Sequence, residues 1–355
     1  MRFIYALFLT LLSSFAFAFP SSIFSQLDFG LYWFSYNNNY CKASSGSCSS
    51  HYDPTKPTLI YVHGWQPGTT VDNYRENFYG GDYGGPNVDT AVSWLNEGYN
   101  VGIFYWNQFA DELEVKYAEA KIWVPNGPKN MRYLLSNGIY QNYSTLSSMS
   151  ELMSDEIASV MSSFSGSRFV IAGHSLGSQM ALTVAEDLTD SVNANSINSN
   201  LLPDRVSLLD PFHSNGAKSY LNDRWPGEVT RDIVDKLKAN NIAIDAYRSS
   251  AATSTIFIGD ENIGLLNKVA FVELKPWYFW AWQQTEKHIA AKWHYLWSHA
   301  FSPTDLKDSG EDGLSASTSD TRVRILMNKD FRLVQDQGEY SRTPEDDRHF
   351  KASRL

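Results

Sequence analysis

The sequence predicts an α/β fold in which a mainly parallel central sheet is covered by helices on both faces. Six short segments are rich in β-branched or aromatic residues and are bounded by turn residues, as buried strands are. Helical patterns lie between them, and such alternation is typical of parallel sheets. The predicted strands cover residues 58–63, 99–106, 168–172, 205–209, 242–248 and 268–274.

The predicted helices are supported by signals at their ends. Ser148 and Glu151 form a capping-box pattern ahead of an apolar face that continues to Phe164. A helix over residues 90–97 is expected to end before Gly98, a residue type that commonly follows a helix C-terminus. Apolar residues also repeat at helical spacing over residues 180–188, and residues 231–237 are expected to form a further short helix.

Composition and charge exclude several classes of protein. The chain has 355 residues, of which 43% are hydrophobic and 19% charged, so it can build a large core and is not disordered throughout. The formal net charge of −10 disfavours binding to nucleic acid. Two cysteines are too few for a disulfide scaffold or a cysteine-rich zinc module. No cofactor, metal ion or obligate protein partner is indicated.

The first 18 residues are typical of a secretory signal peptide. Arg2 precedes an apolar stretch over residues 3–12, and Ala16 and Ala18 mark a cleavage site. This stretch is short for a membrane span, which needs about 20 residues, although an uncleaved anchor is the alternative. We expect a secreted, extracellular protein with a signal peptide (1–18), a main domain (19–301) and a polar C-terminal extension (302–355). Within that extension, residues 322–334 are expected to form a small hairpin, and the last 20 residues are expected to be mobile.

The expected secretion affects how two further sequence features are interpreted. In an oxidising compartment, Cys41 and Cys48 are expected to close a short loop with a disulfide, the alternative being two free thiols. Asn142 stands in the sequon Asn142-Tyr143-Ser144 and is a candidate glycosylation site.

The strongest chemical signal is the pentapeptide GHSLG at residues 173–177. It follows a predicted strand and opens a predicted helix, which is the context of a nucleophile elbow. Gly173 and Gly177, which flank His174, Ser175 and Leu176, allow a tight turn and close packing of the helix on the strand. Ser175 is therefore the candidate nucleophile. A structural turn in a sheet of this class is the alternative.

A nucleophilic serine needs a base and an orienting acid. In this fold both follow the serine along the chain, the acid first. Asp210 is the preferred acid because it comes directly after the predicted strand 205–209. Asp260 is the competing acid, and Asp245 is less favoured because it falls in the middle of a predicted strand.

The base is expected after the last predicted strand. Three histidines satisfy that order. His294 is preferred because it stands just ahead of a short apolar helical turn, while His288 and His299 are less favoured candidates. The alternative for each of the three is a histidine without a catalytic role, either at the surface or in the core with its hydrogen bonds satisfied.

Acyl transfer also needs backbone N–H groups that stabilise an oxyanion. The amide of Leu176, directly after the candidate nucleophile, is the first expected donor. The amide of Trp65 is the second, and Gly64 permits the backbone conformation that this donor requires. His63 is expected to hold this loop by hydrogen bonds rather than to act as the base.

These motifs resemble the pancreatic-type lipase family of secreted α/β-hydrolases. The matching segments are HGW at 63–65, GHSLG at 173–177, LLDP at 208–211, and the histidine ahead of an aromatic helical stretch. The resemblance covers about residues 55–301 and implies an α/β-hydrolase catalytic domain. By the same resemblance, Ser175, Asp210 and His294 are nucleophile, acid and base, and Trp65 and Leu176 supply the oxyanion amides. Unlike in family members, no cysteine follows residue 48 in this sequence, and the stretch after residue 301 is expected to be too short for the family's C-terminal β-sandwich.

The resemblance implies a serine enzyme that hydrolyses carboxylic esters of lipids through an acyl-enzyme intermediate. Triacylglycerol lipase and phospholipase A1 are the best-known activities of the family, and the catalytic residues do not separate them. A different possibility is an esterase or amidase of soluble substrates on the same fold. A further one is a non-catalytic carrier of hydrophobic ligands.

Two segments are candidates for the surface around the site. Residues 275–297 contain five tryptophans and three more aromatic residues, which fit either a local core or a lipid-contacting surface. A lipid-contacting surface implies a transient contact with a membrane or lipid interface. Residues 124–142 are a second candidate flap over the crevice.

Overall fold

The computed structural model describes residues 19–20, 22–46, 48–252 and 263–355. Its strands are β1 (Gly30–Phe34), β2 (Tyr40–Lys42), β3 (Thr58–Val62), β4 (Asn100–Tyr105), β5 (Arg132–Leu134), β6 (Tyr140–Asn142), β7 (Phe169–His174), β8 (Arg205–Leu209), β9 (Ala243–Arg248), β10 (Ala270–Glu273), β11 (Asp305–Leu306), β12 (Phe331–Gln337) and β13 (Arg348–Ser353). Its α-helices are α1 (Ala91–Asn96), α2 (Asn107–Ala110), α3 (Val115–Trp123), α4 (Met149–Val160), α5 (Leu176–Asn193), α6 (Pro226–Ala239), α7 (Ile263–Leu266), α8 (Gln284–Ser298) and α9 (Asp320–Met327).

The main sheet has eleven strands in the order β11-β13-β12-β10-β9-β8-β7-β3-β4-β1-β2. The seven strands from β12 to β4 in that order are parallel. Antiparallel pairs flank them, with β1 between β4 and β2 at one side and β13 against β12 at the opposite side. The strands β5 and β6 form a separate hairpin. The predicted mainly parallel sheet is confirmed.

Helices cover both faces of the sheet. On one face α5 packs on β7 and β8, with α4 and α6 beside it. On the opposite face α8 packs on β7, β8 and β9, with α1 beside it. The middle strands are therefore buried on both sides, which explains why their sequences are largely apolar. In β3, for example, all five residues are inaccessible to solvent.

All six predicted strands are present, with ends within two residues of the prediction. The capping box at Ser148 is also present, because the Ser148 hydroxyl accepts from the Glu151 amide and the Glu151 carboxylate accepts from the Ser148 amide. The sequence pattern did not reveal β1 and β2, the antiparallel strands at one edge.

The polar C-terminal stretch differs from the expectation. Residues 302–355 continue the main sheet, since β12 pairs in parallel with β10 and β13 pairs with β12. The hairpin predicted at 322–334 is wrong, because the first part of that range lies in α9, which begins after the cap residue Ser319. Val323, Leu326 and Met327 have helical spacing and are buried, which explains why this segment is helical. The observed hairpin is β12–β13, and it includes residues that were expected to be mobile.

The predicted disulfide, glycosylation site and signal peptide all lie in the first 142 residues. Cys41 and Cys48 form the predicted disulfide, with their Cα atoms 5.6 Å apart. Asn142 ends β6 and is exposed. The predicted signal peptide lies outside the described residues. Within the described ranges, no helix is both long and apolar enough to cross a membrane.

Candidate active site

Ser175 lies in the sharp turn between β7 and α5. Its backbone has φ 56° and ψ −123°, a conformation that costs a non-glycine residue on the order of 1–3 kcal/mol. The turn is held by its neighbours, because the Ser175 amide donates to the Leu209 carbonyl at 3.0 Å and its carbonyl accepts from the Phe212 amide at 3.3 Å. This geometry is that of a nucleophile elbow.

The two glycines of the elbow leave no room for a side chain. A methyl group on Gly173 would lie 2.0 Å from the carbonyl oxygen of Gly177, and one on Gly177 would lie 2.3 Å from the carbonyl oxygen of Val62. Helix α5 therefore packs directly against the ends of β7 and β3. The spacing of these glycines around Ser175 is a steric requirement of the turn.

Asp210 follows β8, and its buried carboxylate contacts His288. The His288 Nδ1 atom lies 2.5 Å from Asp210 Oδ2. The second oxygen, Oδ1, accepts from the amides of Ser249 at 2.9 Å and Ser250 at 3.3 Å, and the Ser250 hydroxyl donates to Oδ2. Burial would raise the pKa of Asp210, but the hydrogen bond and charge of His288 and these donors hold it below its usual value of 3.8. Asp210 is therefore an ionised partner for His288.

His288 lies on α8, and its side chain is 19% exposed. An Nδ1–H that donates to Asp210 leaves the lone pair on Nε2, which is the tautomer that a general base needs. The residue before Ser175 also holds this helix, since His174 Nε2 donates to the His288 carbonyl at 3.0 Å. The two imidazole centroids are 4.5 Å apart. His288 is thereby held beside the elbow.

The structure does not bring His294, the histidine preferred from the sequence, to Asp210. His294 Nε2 lies 2.7 Å from Asp347 Oδ2, so His294 pairs with a different carboxylate from the one expected. Residues 284–298 form the single helix α8 rather than a loop followed by a helical turn. Positions six residues apart on a helix point about 120° apart, so His288 and His294 cannot both face Asp210.

Neither His299 nor Asp245 lies at the Ser175 turn. The ring of His299 stacks on Trp94 with centroids 3.7 Å apart. Asp245 pairs with Arg205, which begins β8 and so lies at the opposite end of this strand from Asp210. Asp260, the competing acid, lies outside the described residues.

The loop after β3 approaches the elbow closely. A methyl group on Gly64 would lie 2.7 Å from Ser175 Cβ and 3.1 Å from the Leu176 amide nitrogen. The Trp65 indole donates to the Glu112 carbonyl at 2.7 Å, which fixes the next residue of the loop. The backbone of residues 64–65 therefore lies beside Ser175 and the first expected oxyanion donor.

His63 is fully buried and bonded within this loop. Its Nδ1 lies 2.9 Å from the Gly64 carbonyl oxygen, and its Nε2 accepts from the Trp106 amide at 3.2 Å. The Trp106 indole also donates to the His63 carbonyl at 2.8 Å. Burial lowers the pKa of His63 to about 4, so the ring is neutral near pH 7. These contacts fit a role in holding the loop.

Gln179 and Glu119 hold the backbone of the segment that follows Asp210. Gln179 Nε2 donates to the Phe212 carbonyl and to Glu119 Oε1, both at 2.7 Å. The same carboxylate accepts from the Ser214 amide at 2.8 Å. Burial raises the pKa of Glu119 above its usual value. The sequence analysis missed these residues, and it missed Ser249 and Ser250, whose only signal was their position directly after a predicted strand.

The aromatic segment divides into a buried part and an exposed part. Trp293, Tyr295 and Phe279 are buried. Trp280 and Trp282 are 67% and 70% exposed and stack in parallel with centroids 5.3 Å apart. These two exposed rings precede α8, the helix that carries His288.

An exposed apolar side chain also lies close in the chain to a contact of the loop after β3, because the Trp65 indole bonds to the carbonyl of Glu112. Leu113, next to Glu112, is 85% exposed. The predicted flap at 124–142 contains the β5–β6 hairpin, and its Tyr140 hydroxyl donates to the Asp111 carbonyl at 3.0 Å. Among the described residues, no group of three or more His, Cys, Asp or Glu side chains is arranged to hold a metal ion.

Residues 106–202 match the family model of class 3 lipases. The matched range includes β7, the Ser175 turn and all of α5. The match supports an ester hydrolase of the lipase or esterase type, and it does not point specifically to the pancreatic-type family. No curated protein sequence matches the chain.

Three solved structures show partial similarity at low sequence identity. A thioesterase domain from the curacin biosynthetic pathway is 12% identical, with 60% of this chain and 55% of that one covered and a TM-score of 0.24. A membrane phospholipase A, described as a bacterial virulence factor, is 12% identical, with 59% and 66% covered and a TM-score of 0.26. A lipase-esterase related protein from Clostridium acetobutylicum is 14% identical, with 55% and 75% covered and a TM-score of 0.24. The chain thus spans little more than half of the thioesterase domain.

Proposed function

We propose that this protein is a secreted serine hydrolase of carboxylic esters, with Ser175 as nucleophile, His288 as general base and Asp210 as orienting acid. The contact between His288 and Asp210, held beside the Ser175 turn, carries the proposal. The match of residues 106–202 to class 3 lipases supports the same reaction type.

In the proposed reaction, the Ser175 hydroxyl attacks the ester carbonyl while His288 Nε2 accepts its proton. The same proton then passes to the departing alcohol, which leaves an acyl group on Ser175. Water attacks this acyl-enzyme with the help of His288 and releases the carboxylic acid. Asp210 stabilises the imidazolium that forms in each half-reaction. The amides of Leu176 and Trp65 stabilise the oxyanion.

The proposed substrates are esters of lipids, as in triacylglycerol lipases or phospholipases A1. Exposed apolar side chains occur near two elements of the site: Trp280 and Trp282 precede the helix that carries His288, and Leu113 follows Glu112, which bonds to Trp65. Aromatic side chains are well suited to the boundary between water and lipid. These features favour a transient contact with a lipid interface. The disulfide and the N-terminal sequence support the proposed secretion.

The test is ester hydrolysis by the purified protein beside its Ser175→Ala variant. The panel contains short-chain and long-chain p-nitrophenyl esters, a triglyceride emulsion and a phospholipid. Turnover that disappears in the variant supports the serine mechanism, and the preferred ester assigns the substrate class. Absence of Ser175-dependent turnover on every ester contradicts the proposal and favours an amide substrate or a carrier of hydrophobic ligands.

A further inference from the structure

A buried ion pair joins α8, the helix that carries His288, to the segment between β3 and β4. Lys292 Nζ is 2.6 Å from Glu76 Oε1, and the two side chains are only 6% and 12% exposed. Lys292 also donates to the Asn77 carbonyl at 2.7 Å. Burial would raise the pKa of Glu76, but the charge of Lys292 and the neighbouring histidines lower it to about 2. The Glu76 carboxylate is therefore ionised near neutral pH.

Glu76 connects this pair to the loop that carries the second expected oxyanion donor. Its Oε2 accepts from Gln66 Nε2 at 2.6 Å, and Gln66 directly follows Trp65. Its Oε1 accepts from the Tyr61 hydroxyl at 2.8 Å, which ties the carboxylate to β3. One carboxylate thus bonds to the strand before the loop, to the loop itself and to Lys292.

Lys292 connects the same pair to His288. The two residues are four positions apart on α8, and such positions lie about 40° apart around a helix, one turn along its axis. A fixed Lys292 therefore restricts both the rotation and the axial position of the helix at His288. The bond from His174 to the His288 carbonyl restrains the same turn from the side of the nucleophile.

We propose that the Glu76–Lys292 pair positions His288 relative to Ser175 and the oxyanion loop. This inference rests on the proposed function, and the two residues act as positioning residues because they bond to structural partners of the site. Apolar side chains of similar volume often give a folded protein equal or greater stability than a buried ion pair. Stability alone is therefore a weak explanation for this arrangement, whereas its bonds to both halves of the site fit positioning.

The test compares Glu76→Gln, Lys292→Met and the double variant Glu76→Leu/Lys292→Met in the full chain. Hydrolysis of a soluble short-chain ester gives kcat and KM, normalised to the serine that a phosphonate probe labels. We expect kcat to fall at least tenfold in each variant while KM changes less than threefold. The double variant leaves no buried unpaired charge, so we expect its melting temperature to lie closer to that of the parent, with kcat still low.

Asp245→Asn is the matched control, because it weakens a buried ion pair with Arg205, which begins β8 and so lies at the opposite end of this strand from Asp210. We expect it to lower the melting temperature without changing kcat per labelled serine. Folded variants of Glu76 and Lys292 that keep kcat within twofold of the parent overturn the inference.

If the parent has no Ser175-dependent turnover, the proposed function fails, and a spectroscopic readout then decides the positioning role. The low-field proton resonance of His288 Nδ1–H, bound to Asp210, should weaken or shift in Lys292→Met but not in Asp245→Asn, and an unchanged resonance overturns the inference.

Discussion

His288 and His294 lie on the same helix but contact different carboxylates. His288 Nδ1 is 2.5 Å from Asp210, which follows β8, whereas His294 Nε2 is 2.7 Å from Asp347, which precedes β13. The six-residue separation places them about 120° apart around α8. One histidine is therefore directed to the candidate active site and the second to the C-terminal hairpin.

The first prediction separates these two histidines. His288→Ala should lower kcat for a soluble ester by about 10³-fold or more, because Ser175 then has no base. His294→Ala should keep kcat within about threefold and lower the melting temperature, because it removes the pairing with Asp347. Steady-state kinetics and thermal unfolding of both variants provide the measurement. Loss of turnover in His294→Ala with turnover retained in His288→Ala would reverse the assignment.

The second prediction concerns the acid. Asp210→Asn should preserve the fold and lower kcat by about 10⁴-fold, since the amide no longer stabilises the imidazolium or its required tautomer. Asp260→Asn is the comparison variant because Asp260 was the competing candidate, and it should retain kcat within about threefold. Measurement of kcat for both variants, with circular dichroism to establish folding, decides between the two acids.

The third prediction concerns the space at Gly64. A methyl group there would lie 2.7 Å from Ser175 Cβ, so Gly64→Ala must displace either the oxyanion loop or the nucleophile. We expect kcat to fall by about 10²-fold or more, the effect of losing one oxyanion donor. Gly310→Ala is the control because no atom lies within 4 Å of the added methyl group. Equal kcat values for the two variants would show that the loop does not contribute to catalysis.

The fourth prediction concerns the exposed tryptophans. The double variant Trp280→Ala/Trp282→Ala should lower hydrolysis of a triglyceride emulsion at least fivefold while hydrolysis of a soluble ester stays within twofold. The reason is that the stacked rings contribute apolar contact area only when a lipid interface is present. Trp225→Ala is the control, since Trp225 is 36% exposed but precedes α6. A similar loss in this control, or an equal loss on both substrates, would argue against a specific interface contact.

The fifth prediction concerns the pH dependence of stability. Burial raises the pKa of Glu156 from 4.5 to about 7 in the folded protein. The contribution of Glu156 to stability is therefore fully present below about pH 4.5 and is lost as the pH rises through 7. At pH 8 the resulting penalty is on the order of 3 kcal/mol, because one pKa unit corresponds to about 1.36 kcal/mol.

Glu156→Gln should therefore raise the melting temperature by several degrees at pH 8 and by much less at pH 5. Asp155→Asn, which removes an exposed carboxylate from the same helix, should show no such difference between the two pH values. Thermal unfolding of the parent and both variants at the two pH values tests this. An equal effect of Glu156→Gln at both values would contradict the assigned protonation.

The central part of the fold was predictable because local sequence and tertiary structure agree there. Strands such as β3 are mostly apolar because both faces are covered, and the glycines around Ser175 are required by a tight turn that any such elbow must form. Asp210 was identifiable for a similar reason, because a carboxylate directly after a parallel strand lies at the edge where sites form.

The choice of histidine was less predictable because it depends on the start of one helix. The sequence analysis placed His294 just ahead of a short helical turn, whereas α8 begins at Gln284 and contains both His288 and His294. The carboxylates that contact these two histidines also come from distant parts of the chain. His288 contacts Asp210, and His294 contacts Asp347. Such pairings follow from the tertiary arrangement and leave no periodic signal in the sequence.

Because β12 lies between β10 and β13, the main sheet can be completed only late in the synthesis of the chain. Strand β10 ends at residue 273, but its outer neighbour begins only at residue 331. A nascent chain that has emerged as far as the Ser175 turn, Asp210 and α8 still presents the unpaired edge of β10. Ribosome-bound intermediates of this length are therefore expected to need protection against edge-to-edge association until the C-terminal hairpin closes the sheet.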